Sequence, residues 1–156
     1  MKACCFIGHR DIKKTPELSD KIRRTVKNLI EAQGVDVFLF GGKSEFDDLC
    51  VRIVRGIKAE RQEIQLIFVR ENNRYIGEKY TNLLKVYDDS VMMSGTENAG
   101  KASYVERNQA MINASDFCVF YYDENYTPSG KRTKSGTKVA YEYAKKKGKN
   151  IINLYN

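Results

Sequence analysis

Residues 35–57 read VDVFLFGGKSEFDDLCVRIVRGI, and this stretch decides the fold class. Its first part, Val35–Phe40, is almost continuously apolar, which is typical of a strand buried on both faces of a sheet. After the glycine pair at 41 and 42, Ser44 can cap a helix that has Asp47 at its third position. That helix carries an apolar stripe at helical spacing: Phe46, Leu49, Cys50, Ile53, Val54 and Ile57. The stretch therefore predicts a strand, a tight turn and an amphipathic helix.

Strand-like and helix-like runs alternate in the same way along the rest of the chain. Further strands are predicted over residues 3–7, 64–69, 90–93, 117–122 and 150–155. Further helices are predicted between Thr15 and Gly34, over 78–87, from the capping box Ser103-x-x-Glu106, and from Ser135. Residues 94–102 are predicted to form a loop, and whether it closes as a lid is left open. The alternation predicts an α/β fold with a mainly parallel sheet and helices on both faces.

Length and composition narrow the class of protein. The chain has 156 residues, which favours a single domain over 1–156. Hydrophobic residues make up 42% and charged residues 30%, as in globular proteins. The apolar runs are far shorter than the roughly 20 residues of a membrane span, and the N-terminus turns polar too early for a secretion signal. We therefore expect a cytoplasmic protein with no membrane partner.

The four cysteines are Cys4, Cys5, Cys50 and Cys118, and none of them stands in C-x-x-C spacing. Each lies in an apolar stretch, so they are predicted to be small buried hydrophobic residues in a reducing compartment. Zinc ligation and disulfides are not expected. No metal site and no cofactor is predicted.

The positive charge is concentrated near the end of the sequence. The formal net charge is +7, and residues 131–149 hold eight bases against the single acid Glu142. Such a segment attracts anionic partners, and weak nucleic-acid binding is one of them. The alternative is a solvated helix end, where the lysines at 145, 146 and 147 complement the negative end of the helix dipole.

Three segments are predicted to meet at one edge of the sheet. In an open parallel sheet, ligands bind beyond the carboxyl ends of the strands, where the strand order reverses. The three segments are Gly8-His9-Arg10, Gly41-Gly42-Lys43-Ser44 and Ser135-Gly136-Thr137. Glycine lets a ligand approach the backbone closely, and the free N–H groups of a helix start favour an anion. Their convergence predicts a site for a phosphate-bearing small molecule, although a tight strand-to-helix turn also accounts for the glycine pair.

Two better-known phosphate motifs are excluded. The tripeptide Gly42-Lys43-Ser44 resembles the end of a Walker loop, but Val37 stands where that loop needs its first glycine. The sequence also lacks G-x-G-x-x-G after a strand. The chain is therefore predicted to be neither a P-loop NTPase nor an ordinary dinucleotide-binding enzyme.

Single polar residues add candidates for this site. His9 is the one histidine, and both ligand contact and a structural hydrogen bond remain open for it. Arg107, followed by Asn108, lies on the first turn of its predicted helix and can hold a phosphate or carboxylate; a surface arginine is the alternative. Glu142 can act as a general acid or base, or pair with a lysine one turn away.

Four segments, read in order, resemble the motifs of one family. Residues 5–10, CFIGHR, resemble its FTGHR opening, and residues 41–47, GGKSEFD, resemble G-G-x-x-G-F-D. Residues 104–116, YVERNQAMINASD, resemble R-N-x-x-M-V-D-x-S-D, and residues 135–148 resemble the ending G-G-T…Y-A-x-x-x-G. These are motifs of the YpsA-like proteins of bacteria and phages, which belong to the SLOG superfamily with DprA and the LOG enzymes.

The resemblance implies a three-layer Rossmann-like domain that binds a nucleotide or an ADP-ribose-like ligand as a sensor or binding domain. Backbone N–H groups of the three segments would hold phosphate. Asp47 would bind a ribose hydroxyl, and Arg107 with Asn108 would hold the far phosphate or sugar. One alternative is a LOG-like phosphoribohydrolase that cleaves an N-glycosidic bond, with Glu142 and Arg107 as its catalytic residues. Another is DprA-like nucleic-acid binding through residues 131–149, and a homodimer stays open.

Overall fold

The computed structural model describes residues 1–42, 44–71, 77–93, 103–127 and 135–155. Lys43, the predicted loop 94–102 and the basic residues 131, 132 and 134 lie outside the described residues. The strands are β1 (Lys2–Gly8), β2 (Val35–Phe40), β3 (Gln65–Val69), β4 (Asp89–Val91), β5 (Phe117–Tyr121) and β6 (Asn150–Asn153). The helices are α1 (Pro16–Glu31), α2 (Glu45–Lys58), α3 (Glu78–Leu83), α4 (Ser103–Ala114) and α5 (Gly136–Lys146).

The six strands form one parallel sheet in the order β4-β3-β2-β1-β5-β6. The chain builds the sheet outward from β1 to β4 and then crosses to the other side of β1 for β5 and β6. The strand order thus reverses at β1, beside β5. Because all strands are parallel, the carboxyl ends of β2, β1 and β5 lie next to one another at the edge where ligands bind in such sheets.

Helices cover both faces of the sheet, which confirms the predicted three-layer α/β architecture. On one face α1 and α2 pack Ile22, Phe46 and Val54 against the rings of Phe6 and Phe40. On the other face, α4 and α5 pack against β1 and β5. The helices contribute Met111, Ile112, Ala140 and Ala144 to this second cluster, and the strands contribute Ile7 and Phe120. The apolar stripe predicted for α2 is buried at every one of its positions.

Helix starts follow the capping signals of the sequence. The side-chain oxygens of Thr15, Ser44 and Ser135 accept the N–H groups of residues 18, 47 and 138 at 3.1, 3.0 and 3.0 Å. These three N-caps confirm the predicted starts of α1, α2 and α5. Ser103 differs, because it is the first residue of α4 and its hydroxyl donates to Oε2 of Glu71 at 3.2 Å. The predicted capping serine instead ties α4 to the end of β3.

Some elements end earlier than the sequence pattern predicts. The N–H of Tyr122 donates to the side-chain oxygen of Asn153 at 3.0 Å, so a side chain takes over where the β5–β6 ladder stops. The predicted strands therefore shorten to Tyr121 and Asn153. Helix α3 ends at Leu83 rather than at 87, because the next residues close tight turns, with the N–H of Val86 donating to the carbonyl of Leu83 at 3.0 Å.

All four cysteines are buried and unlinked, as predicted. Burial raises the pKa of the Cys4 and Cys50 thiols, which stay neutral in the core. In the part of the chain that the structure describes, no group of three or more His, Cys, Asp or Glu side chains is arranged to hold a metal ion. None of the helices formed by the described residues has the length and apolar content needed to cross a bilayer.

Candidate functional site

The turn between β2 and α2 is held from both faces of the sheet by buried charged side chains. Gly42 has φ of +70°, and its N–H donates to Oδ2 of Asp47 on α2 at 2.7 Å. From the opposite face, Nη1 of Arg107 on α4 donates to the carbonyl of Gly41 at 3.1 Å, and Nη2 donates to the side-chain oxygen of Asn108 at 3.2 Å. Asp47 and Arg107 therefore clamp this turn between the two helix layers.

The glycines of the β1 and β2 ends are required by the packing of the protein itself. A Cβ at Gly41 would lie 2.8 Å from Cζ of Arg107, and one at Gly42 would lie 2.3 Å from the ring of Phe68. At Gly8 a Cβ would lie 2.4 Å from the ring of Phe46. All three distances are shorter than real Cβ contacts. The tight strand-to-helix turn by itself therefore requires glycine at 41 and 42, and their contact with a ligand stays a prediction.

Asp47 is a buried carboxylate, with only 6% of its surface exposed. Burial raises its pKa to about 6, against the opposing effects of the Gly42 N–H and the Arg107 charge. Its second oxygen, Oδ1, has no hydrogen-bond partner among the described residues. The family resemblance implies a ribose contact for Asp47, which stays a prediction; in the structure its Oδ2 accepts the Gly42 N–H of the adjacent turn.

The start of α2 has already used most of its donors. The N–H of Glu45 donates to the carbonyl of Arg10 at 2.9 Å, and that of Asp47 donates to the Ser44 hydroxyl. With the Gly42 N–H on Asp47, three donors near the predicted phosphate-binding segment are satisfied internally. The carboxylate of Asp47 occupies the place at this helix start that an anion would otherwise take.

The start of α5 presents a different arrangement. Ser135 caps the N–H of Lys138, while the N–H groups of Gly136 and Thr137 find no acceptor among the described residues. A Cβ at Gly136 would lie 3.1 Å from the ring of Tyr104, which is on the first turn of α4. The open donors of α5 thus lie beside the start of α4, one turn from the Arg107 clamp.

His9 connects the ends of β1 and β5. Its ring is 1% exposed, and Nε2 accepts the N–H of Asp123 at 2.8 Å. The ring stacks on Tyr126 with centroids 3.9 Å apart and planes 17° from parallel. Burial lowers its pKa below the ordinary value, with the carboxylate of Asp123 opposing. The structure thus shows the hydrogen bond of His9, and its contact with a ligand stays a prediction.

The remaining predicted residues are spread along the same edge. Arg10 is exposed and contributes its carbonyl to the start of α2. Glu142 is exposed on α5, where it raises the pKa of Tyr122 after the larger effect of burial. Arg107 is buried at the end of β2. The two residues predicted to be catalytic therefore lie at the ends of two strands, β2 and β5, that are separated by β1.

Sequence reasoning missed a set of buried acids at this edge. Glu71, which is 4% exposed, follows β3 and accepts the Ser103 hydroxyl, and Glu106 is 5% exposed on α4 beside Arg107. The available signal was a glutamate two residues after a strand-like run, near the strand end where ligand-binding residues lie in parallel sheets. Glu106 was visible only as part of a capping box, which concealed its burial.

Comparisons with known proteins agree with this architecture. The model of the YpsA family, described as the YspA SLOG family, matches residues 6–155. The X-ray structure of TM1055, a structural genomics target, is similar with a TM-score of 0.58 and 17% identity over 97% of this chain and 72% of that one. No curated protein matches the chain. The likeness to TM1055 shows a shared fold, and the family match over nearly the whole length shows that the chain belongs to the YpsA family of SLOG proteins.

Proposed function

We propose that the protein binds a nucleotide or a nucleotide-derived ligand of the ADP-ribose kind, as a sensor or binding domain. The main support comes from the start of α5, where the Gly136 and Thr137 N–H groups find no acceptor among the described residues. This helix start lies at the carboxyl edge of a parallel sheet whose strand order reverses at β1. Membership of the SLOG family and the Rossmann-like fold support a nucleotide-related function in general.

The charges of the edge favour a phosphate at α5 rather than at α2. The α2 start is already neutralised by the Asp47 carboxylate, which accepts the Gly42 N–H. At α5 the first turn contains no acidic residue, and the positive end of its dipole adds to the N–H donors. Arg107 and Asn108 lie one turn beyond Tyr104 on the neighbouring helix, where they support the second phosphate or sugar of a longer ligand.

Aromatic side chains near these donors suit a nucleobase. Tyr104 is 45% exposed and lies against Gly136, so its ring offers an open face beside the proposed phosphate position. Tyr122 and Tyr141 lie with ring centroids 4.5 Å apart at the end of β5, and both are half-buried. Flat aromatic surfaces of this kind stack on bases without reading their sequence. A nucleotide would thus place its phosphate on α5 and its base on one of these rings.

The test uses Gly136, because it is the first residue of α5. Proline is tolerated at that position, so Gly136→Pro deletes one proposed phosphate donor while it adds the carbons of its ring. Gly136→Ala is the matched control, since it keeps the N–H and introduces a Cβ that also lies near Tyr104. Isothermal calorimetry is carried out with AMP, ADP, ATP, NAD and ADP-ribose on each variant.

We expect at least one of these nucleotides to bind the parent protein and the Gly136→Ala variant with similar affinity. Gly136→Pro should weaken that binding by about tenfold to a hundredfold, because a hydrogen bond to a charged group contributes about 1.5–3 kcal/mol. Absence of binding by every nucleotide to the folded parent protein contradicts the proposal. Equal affinities of the alanine and proline variants would remove α5 as the phosphate site.

A further inference from the structure

The covered histidine at the end of β1 is held by a short turn that follows β5. The N–H of Asn125 donates to Oδ1 of Asp123 at 2.9 Å, and the N–H of Tyr126 donates to the Asp123 carbonyl at 3.0 Å. These bonds bend residues 123–126 back over the sheet edge, so that Tyr126 stacks on His9. The same turn presents the Asp123 N–H to Nε2 of His9. We call residues 123–126 the strap.

The hydrogen bond fixes the protonation state of His9. A backbone N–H can only donate, so Nε2 must carry a lone pair and the single proton of the neutral ring lies on Nδ1. That Nδ1–H is buried and has no partner among the described residues. If Nε2 takes up a proton, two hydrogens face each other and the bond to Asp123 is lost. The closed strap is therefore compatible only with the neutral imidazole.

We infer that His9 and the strap form a proton-operated latch over the ligand-binding edge, closed while His9 is neutral and released when Nε2 is protonated. This inference rests on the proposed function for its ligand, while the latch itself belongs to the protein without ligand. Release uncovers an imidazolium at the carboxyl end of β1. Because that cation favours phosphate, an anionic nucleotide and a proton should bind together.

The groups that face His9 act on its protonation in opposite directions. Burial disfavours the imidazolium, and the carboxylate of Asp123 favours it. A second carboxylate, Asp11, lies 3.5 Å from the Tyr126 hydroxyl on the covering ring. The other rings around His9 belong to Tyr121 and Tyr122, whose phenols are neutral in this range because burial raises their pKa values further. Of these groups, the Asp123 carboxylate is the one on the strap that favours proton uptake by His9.

A single histidine makes the latch directly observable by NMR. The imidazole resonances belong to His9 without further assignment, and the ¹⁵N shifts distinguish the Nδ1–H tautomer from the Nε2–H tautomer. We expect the Nδ1–H tautomer in neutral solution and a titration below the ordinary pKa of 6.5. Hydrogen-exchange protection of the Asp123 N–H should fall by up to about tenfold for each pH unit below that value, because opening is then coupled to proton uptake.

Two variants distinguish the release of the strap by His9 from other effects of low pH on the protein. His9→Gln keeps a carbonyl oxygen that can accept the Asp123 N–H but cannot titrate, so its strap should keep constant protection across the same pH range. Tyr126→Phe keeps the stacked ring and loses only the contact with Asp11, so its Asp123 protection should follow the pH as in the parent protein. An Nε2–H tautomer in neutral solution overturns the inference. The same holds if His9→Gln loses protection at low pH as the parent protein does.

The coupling to ligand is measured with ADP-ribose, whose diphosphate does not titrate over about pH 5–8, the range in which histidine changes charge. Its affinity for the parent protein should rise as the pH falls through the His9 titration, and the rise should be smaller for His9→Gln, in which Asp47 still titrates but position 9 does not. An affinity that is independent of pH in the parent protein overturns the coupling. If neither ADP-ribose nor any other nucleotide of the calorimetry panel binds at any pH while Asp123 exchange follows the His9 titration, the proposed function fails and the latch stands.

Discussion

At the scale of the residue, three buried ionisable side chains define the carboxyl edge. His9, Asp47 and Arg107 are 1%, 6% and 6% exposed, and each contacts a backbone group of a strand end or of the turn after it. Burial of a charge is costly unless neighbouring dipoles or charges compensate it. The edge is therefore a region whose stability depends on pH, and Asp47 should show this most clearly.

Replacing Asp47 with asparagine should remove one pH-dependent contribution to stability. The pKa of Asp47 rises to about 6 on folding, from 3.8, so folding favours the protonated acid and its contribution is lost as the pH rises through 6. Asparagine keeps an oxygen for the Gly42 N–H and cannot ionise. The free energy of unfolding of Asp47→Asn, relative to the parent protein, should therefore increase by on the order of 3 kcal/mol from pH 4 to pH 7.

Urea denaturation at the two pH values measures this difference. Asp20→Asn is the control for the loss of a carboxylate, because Asp20 is exposed on α1 and is not among the groups that shift the pKa of Asp47. If the difference in free energy of unfolding between Asp47→Asn and the parent protein is the same at both pH values, the pKa of Asp47 is not raised by folding.

At the scale of the element, helix α2 contains one glycine that the fold does not need. A Cβ at Gly56 would meet nothing within 4 Å, and this residue lies inside the helix. Glycine inside a helix is less favourable than alanine by about 0.5–1 kcal/mol, because it loses more backbone freedom on folding. Gly41, in the β2–α2 turn, differs from Gly56 because a Cβ there would lie too close to Arg107.

Gly56→Ala should raise the free energy of unfolding by about 0.5–1 kcal/mol. Gly41→Ala should lower it, because its new methyl group would lie 2.8 Å from the guanidinium carbon of Arg107 and disturb the clamp. Chemical denaturation of the two variants beside the parent protein gives both values. A destabilised Gly56→Ala, or an unaffected Gly41→Ala, would contradict the packing described for these helices.

At the scale of the whole molecule, the cysteines report on global unfolding. Cys4, Cys5 and Cys118 lie on the two strands at the centre of the sheet, Cys50 lies on α2, and all four are 0% exposed. A thiol reagent should therefore react with none of them in the native protein and with all four after denaturation. The reaction rate in native conditions should follow the unfolding equilibrium rather than local opening.

The measurement is a DTNB assay with and without denaturant, which gives the number of reactive thiols per chain. Gln33→Cys provides the matched control, because this exposed position after α1 should react at once and show that the reagent is active. Rapid reaction of one or more native cysteines would show that a central strand opens separately from the rest of the fold.

The sequence predicted the order and type of the elements because their signals are local. Apolar runs, a proline after Thr15 and the serines at 44 and 135 act within a few residues, and the structure confirms them. The partners of the site residues were not predictable in this way. The Arg107 guanidinium and the His9 ring find their partners only when α4 packs on the sheet and β5 pairs with β1. The same reason hides the burial of Glu71 and Glu106, which sequence alone shows only as charged residues.

The position of β1 at the middle of the sheet has a consequence for how the chain folds during synthesis. This strand is made before both of its partners: β2 follows within about one helix length, whereas β5 begins only at Phe117. One side of β1 therefore stays without a neighbour until β5 has been synthesised. Such long-range pairing slows folding and leaves the apolar edge of β1 exposed to non-native strand pairing. The nascent protein should depend most on chaperones in that interval.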